Sequence, residues 1–144
     1  MTINTTKAPE VIVAFYQAFV KGDLSLCDEA VSIDWENHPR EPGGGSGVEA
    51  FKHAVTMYRS ALDNLDIEFE QVIVDGNNVA LRIRITGKTT GKLLNLVEAI
   101  QPEVAGKTIS FECHDFHTIR DGRIVETHHI EHWLSIFHQL QIVY

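Results

Sequence analysis

The chain has 144 residues, 44% hydrophobic and 22% charged, which suits one globular domain with a single substantial core. Its formal net charge of −8 argues against nucleic acid or an anionic membrane as partner, since both reward clustered Lys and Arg. Cys27 and Cys113 stand far apart without CxxC spacing, no stretch reaches the roughly 18 apolar residues of a membrane helix, and no secretory signal pattern opens the chain; a cytoplasmic protein with free thiols is expected.

Residues 1–6 are expected to be disordered. From Pro9 the pattern is helical: Val11, Phe15 and Phe19 recur at i, i+4 and i+8, flanked by Ile12 and Tyr16, and Gly22 supplies a left-handed stop. Asp23 then suits the cap of a short second helix running to about Ala30. Val31, Ile33 and Trp35 alternate with polar residues, predicting a strand that ends near His38-Pro39. The glycine-rich stretch 39–47 lacks the GxxxxGK[ST] phosphate pattern and reads as a flexible rim or lid. A third helix follows, with Val48, Phe51, Val55, Tyr58 and Leu62 on one face. Strands at about 66–75 and 78–88 flank an Asp75-Gly76-Asn77-Asn78 turn, the second alternating Val79, Leu81, Ile83 and Ile85 with polar residues. Residues 89–106, with Leu93, Leu94, Leu96, Val97 and Ile100, are too apolar for an exposed loop and suit an irregular strand or a flap over a cavity. A hairpin over 107–133 and a short amphipathic tail, Trp133 to Leu140, complete the chain.

That last hairpin is the most informative segment. Asp121-Gly122 between alternating runs is a strong two-residue turn signal, which sets Arg120 opposite Arg123. Counting outward puts Asp115 opposite His128 and His117 opposite Glu126, at contact distance across the pair. Phe111, Cys113, Asp115, His117 and Ile119 then share one face with Ile124, Glu126, His128, Ile130 and His132. Apolar residues interleaved with two carboxylate–histidine pairs describe a pocket wall. His114 and His129, with Glu112 and Glu131, fall on the other side, toward solvent or a partner subunit.

An imidazole beside a carboxylate has a fixed tautomer and is suited to proton transfer near neutral pH. In the catalytic reading His128 is the base, Asp115 orients it or donates, and His132 and His38 hold polar ends of a ligand. His117, Glu126, Tyr16, Trp35 and Ile130 complete the ligand-facing set. The alternative reading makes Asp115 and His128 a satisfied buried pair bracing a binding or dimerisation module. His128 to His132 spells H-x-x-E-H, but that zinc pattern needs a helix and the segment reads as a strand; no metal is expected.

The stretch DFHTIRDGRIVETHHIEHWLSIFHQL resembles the SnoaL-like polyketide cyclases of the NTF2-like superfamily, with support from FYQAFVKGDL, the NHP element and GKTTG. The resemblance spans nearly the whole chain. It implies an α+β fold, an NTF2-like cone with a curved, mostly antiparallel sheet wrapped around three N-terminal helices. It also implies a homodimer, a small-molecule ligand in the cavity, and acid/base chemistry without cofactor. The slot of the family's acid/base aspartate holds His132, the preceding tryptophan slot holds His128, and the GTHTG histidine slot holds Thr89. In ketosteroid isomerases, more distant relatives, the general-base aspartate falls near His38 and the oxyanion-hole aspartate near Asp115.

Overall fold

The structure is a computed structural model that describes residues 8–99 and 103–142; the stretch read as disordered, and Ile100, lie outside that range. Helix α1, Glu10–Lys21, buries Ile12, Phe15, Tyr16 and Ala18. It stops at Gly22, whose backbone takes φ 68° while its N–H donates to Ala18 O. A left-handed residue here ends the helix and satisfies an otherwise orphan carbonyl. Helix α2, Ser25–Ala30, follows at once, with the Asp23 carboxylate accepting the Ser25 N–H at 3.0 Å.

Strand β1, Val31–His38, leads through a loop into helix α3, Gly47–Ala61, and then strand β2, Leu62–Asp75. Strand β3, Asn78–Thr89, forms the first hairpin with β2. The apolar stretch after it forms a single turn of 3-10 helix over Leu93–Val97, which buries Leu93, Leu94 and Leu96; a short helix takes the place of an irregular strand. Strands β4, Thr108–Arg120, and β5, Arg123–Glu131, make the last hairpin, and helix α4, Trp133–Leu140, closes the fold. The order across the sheet is β1-β5-β4-β3-β2. Three neighbouring pairs are antiparallel; β1 joins β5 in parallel.

This is the expected α+β architecture, with helices packed on one face of a curved, open, mixed sheet. The curvature has an identifiable cause: register shifts interrupt the β1–β5, β2–β3 and β4–β5 ladders. Each extra residue bends its strand and increases local twist. The β1 irregularity also defeats simple alternation, leaving Ile33 88% exposed although Val31 and Trp35 are buried. Phe15, Tyr16, Trp35 and Phe51 pack edge to face or stacked between α1, α3 and the sheet. No helix among the described residues is long and apolar enough to cross a membrane.

The glycine-rich loop is less permissive than its composition suggests. Gly43 and Gly45 have open space where a Cβ would stand. Gly47 instead has φ +80°, and a Cβ there would lie 2.3 Å from the backbone oxygen of Ile33. Gly47→Ala should therefore combine left-handed strain with a backbone clash and cost about 2 kcal/mol or more. Gly45→Ala should change stability by less than about 0.5 kcal/mol. Denaturant unfolding of the two variants checks the contrast.

Candidate functional site

An apolar cavity lies between the helices and the inner face of the sheet. Phe15, Phe19, Trp35, Phe51, Leu65, Ile67, Ile83 and Ile85 make most of its wall, and a few polar groups converge on it: Tyr16, Asn37, Glu41, Tyr58, Asp115, Thr127, His129 and Glu131. Its free interior is about 50 Å³, several times the ~10–15 Å³ that one water needs. A wider outer cleft of about 380 Å³ is lined by Pro39, Arg40, Leu96, Ile130 and Trp133 among others. Glu41, Tyr58, His129 and Glu131 line both, so these four side chains stand between cleft and cavity.

The β4–β5 register decides which residues face inward. The turn is as expected, with Arg120 opposite Arg123 and Ile119 opposite Ile124. Thr118 then pairs with Glu126, so Val125 is an extra residue on β5 and every later partner moves by one. Asp115 faces His129, His117 faces Thr127, and Cys113 faces Glu131. The expected Asp115–His128 and His117–Glu126 pairs do not form. Thr127, His129 and Glu131 turn inward, while Glu126, His128 and Ile130 turn to the outer face.

Five side chains form one hydrogen-bonded chain in the cavity wall, with His117 behind the four that line the cavity. The Tyr16 hydroxyl lies 2.5 Å from Asp115 Oδ2 and 2.8 Å from His117 Nε2. His117 Nδ1 is 2.8 Å from Thr127 Oγ1, which accepts the Trp35 indole N–H at 3.0 Å. With Asp115 ionised, a single proton order satisfies every group. Tyr16 donates to Asp115, His117 Nε2–H donates to Tyr16, and Thr127 donates to His117 Nδ1. His117 is then neutral, in agreement with burial that pushes its pKa down to about 3. Burial also raises Asp115 to about 6, although the Tyr16 hydrogen bond holds it lower than burial alone would. Both are almost fully enclosed, Asp115 6% and His117 1% exposed.

The second polar group is ionic. His129 Nδ1 lies 2.7 Å from Glu131 and Nε2 lies 2.8 Å from Pro39 O, both acceptors, so both nitrogens carry hydrogen. Burial opposes that charge, but the Glu131 carboxylate, Pro39 O and Glu41 outweigh it and raise His129 to about 9. Glu131 also accepts the Tyr58 hydroxyl at 2.9 Å, and its carboxyl is held below the usual range by His129 against the opposing effect of burial. Glu41, from the loop after β1, is raised to about 7 by burial and the Glu131 charge. Ligand atoms of Glu41, His129 and Glu131 lie within 4.8 Å of one another, but both His129 nitrogens are already engaged as donors. As it stands the cluster is an ion-paired group of two carboxyls and one imidazolium.

Of the residues expected from sequence, Tyr16, Trp35, Asp115 and His117 converge on the cavity or its wall. His38 and His128 stack on the outer face, their Nε2 atoms 3.1 and 3.0 Å from Glu126. Ile130 is 75% exposed and borders only the cleft. His132 is exposed at the start of α4 and lines neither space. Sequence reasoning missed Glu41, Asn37, Tyr58, Thr127, His129 and Glu131. The Ile124-Val125 pair, two adjacent apolar residues after the turn, is the one local sign that strict alternation breaks there.

The model of the family described as SnoaL-like polyketide cyclase matches residues 10–140. Among solved structures, TsrD from Streptomyces laurentii superposes with a TM-score of 0.81 at 20% identity, covering 93% of this chain and 94% of that one. A SnoaL-like polyketide cyclase from Agrobacterium tumefaciens gives 0.74 at 16% identity, over 91% and 95%. IdmH from Streptomyces antibioticus gives 0.73 at 21%, over 92% and 97%. At these identities the likeness establishes the fold. No curated protein sequence matches the chain significantly.

Tyr16→Phe removes the donor to Asp115 and the acceptor for His117 together, which should cost about 2–4 kcal/mol in denaturant unfolding. The same change should raise the Asp115 pKa above about 6 in a carboxyl NMR titration, because the lost bond favours the charged form. His129 is raised from 6.5 to about 9 in the fold, so its stabilisation is complete below 6.5 and lost as pH rises through 9. Stability should therefore fall by on the order of 2–3 kcal/mol between those limits. His129→Gln should flatten that slope above pH 7, where Glu41 titration no longer dominates.

Proposed function

Since the chain belongs to the SnoaL-like polyketide cyclase family, we propose that it is an acid/base enzyme that moves a proton next to the carbonyl of a small apolar compound, in a cyclase or isomerase type of reaction, without a cofactor. The observation that carries this reading is a pair of buried carboxyl groups on one apolar cavity, Asp115 at about 6 and Glu41 at about 7. Near neutral pH the first is mostly ionised and the second about half protonated, an arrangement suited to a base and an acid working together.

In this mechanism Asp115 takes a proton from the carbon next to the carbonyl, while Glu41 donates toward the carbonyl oxygen. Tyr16 holds the Asp115 carboxylate in one orientation through its 2.5 Å hydrogen bond. The His129 cation, directly opposite Asp115 in the ladder, favours negative charge developing on the substrate. The apolar wall excludes water and strengthens these effects. Entry is through the cleft, past Glu41 and Tyr58. We place the protein in the cytoplasm and infer a homodimer; sedimentation velocity decides the oligomeric state.

The test is hydrogen exchange at the carbon next to the carbonyl of cyclohexanone, followed by NMR in D₂O. Asp115→Asn should lower protein-dependent exchange about 100-fold, and Glu41→Gln should remove the alkaline limb of its pH profile. His128→Ala should leave the rate unchanged. Exchange that survives in Asp115→Asn overturns the reading. Saturable binding of the ketone with no exchange favours a non-catalytic binding module.

A further inference from the structure

We propose that His38, Glu126 and His128 form a transition-metal site on the outer face of the sheet, separate from the cavity and suited to Zn²⁺. β1 and β5 run in parallel with His38 paired to His128, so the two imidazoles stand side by side on adjacent strands. Glu126 lies two residues earlier on β5 and points to the same side. The rings stack with centroids 4.4 Å apart and planes 14° from parallel. Their Nε2 atoms lie 3.1 and 3.0 Å from the same Glu126 oxygen, and all three ligand atoms lie within 4.8 Å of one another.

Those separations are close to what a metal would impose. Zinc bonds of about 2.0–2.2 Å to nitrogen and oxygen place adjacent tetrahedral ligands roughly 3.4 Å apart, so both nitrogen–oxygen distances need change by only a few tenths of an ångström. The N–H protons shared with Glu126 are the groups a metal replaces. Both nitrogens keep the same acceptor whether proton or metal lies between. Two histidines and a carboxylate leave a fourth position for water, and imidazole suits Zn²⁺, Cu²⁺ and Ni²⁺ over Mg²⁺ or Ca²⁺. The ligands come from paired strands, which hold their spacing better than a loop, and a net charge of −8 favours cation approach.

Occupancy would reach the cavity by a short route. His38 precedes Pro39, whose carbonyl accepts the His129 N–H, and Glu41 follows two residues on. Metal at His38 would hold the start of that loop.

Isothermal titration of the intact protein with ZnCl₂, beside thermal unfolding with and without zinc, tests the site. The expected result is one zinc per chain and a raised unfolding midpoint. Affinity should fall tenfold or more in each of His38→Ala, His128→Ala and Glu126→Gln. His114→Ala, on the same face beside Glu112, should bind like the parent. The substituted side chains are at the surface, so circular dichroism should show each variant folded. Unchanged affinity in His128→Ala, loss of binding in His129→Gln alone, or no heat and no midpoint shift at about 1 mM zinc would each overturn the proposal.

Discussion

The one-residue bulge at Val125 governs which chemistry the cavity contains, because side chains on a strand alternate faces and one extra residue exchanges the two sets. Without it, Glu126, His128 and Ile130 would point inward and Thr127, His129 and Glu131 outward. With it, Thr127 completes the buried chain to His117, and His129 brings a cation opposite Asp115. The same displacement sends His128 to the outer face, where β1 supplies His38 as its neighbour. One unpaired residue thus puts His129 in the cavity wall as a charged ring and His128 on the surface as the partner of His38.

The cavity accommodates so many polar groups because nearly all are satisfied by one another. A buried polar group without a partner costs a large part of its desolvation energy, whereas a closed network is tolerated. The chain from Trp35 to Asp115 achieves this with neutral groups and one carboxylate, each donor meeting an acceptor. The His129–Glu131 pair achieves it with opposite charges, Tyr58 and Pro39 O taking up remaining capacity. Two environments on the neighbouring strands β4 and β5 therefore drive two histidines in opposite directions, His117 toward neutrality and His129 toward charge.

The parallel β1–β5 pair has a second consequence. It sets the end of β1 beside the middle of β5, so the loop leaving His38 passes over the cavity mouth. Glu41 reaches the cavity from that loop, and its side chain is only 11% exposed. A stretch whose composition suggests a passive rim therefore contributes a buried carboxyl group. Gly47 fixes where the loop ends, by its close approach to the Ile33 carbonyl.

Local pattern alone was enough to read the helices, the two hairpin turns and the α+β class. Helical periodicity marks α1 and α3, Gly22 ends the first, and Asp121-Gly122 sets the last turn, all within a few residues of sequence. The inward position of Asp115, Tyr16 and Trp35 was legible for the same reason: each lies on an element whose buried face is already plain from its apolar neighbours. The partners were not. The bulge at Val125 is a property of the assembled β4–β5 ladder, and no pairwise count from the turn contains it. Glu41 and Tyr58 meet His129 only because a loop, a helix and a strand distant in sequence are folded against one another. The sequence by itself determined the elements and the buried faces of most of them; tertiary structure decided the register of β5, and with it which acids and bases share the cavity, since a one-residue slip costs nothing locally but reverses the faces of the strand.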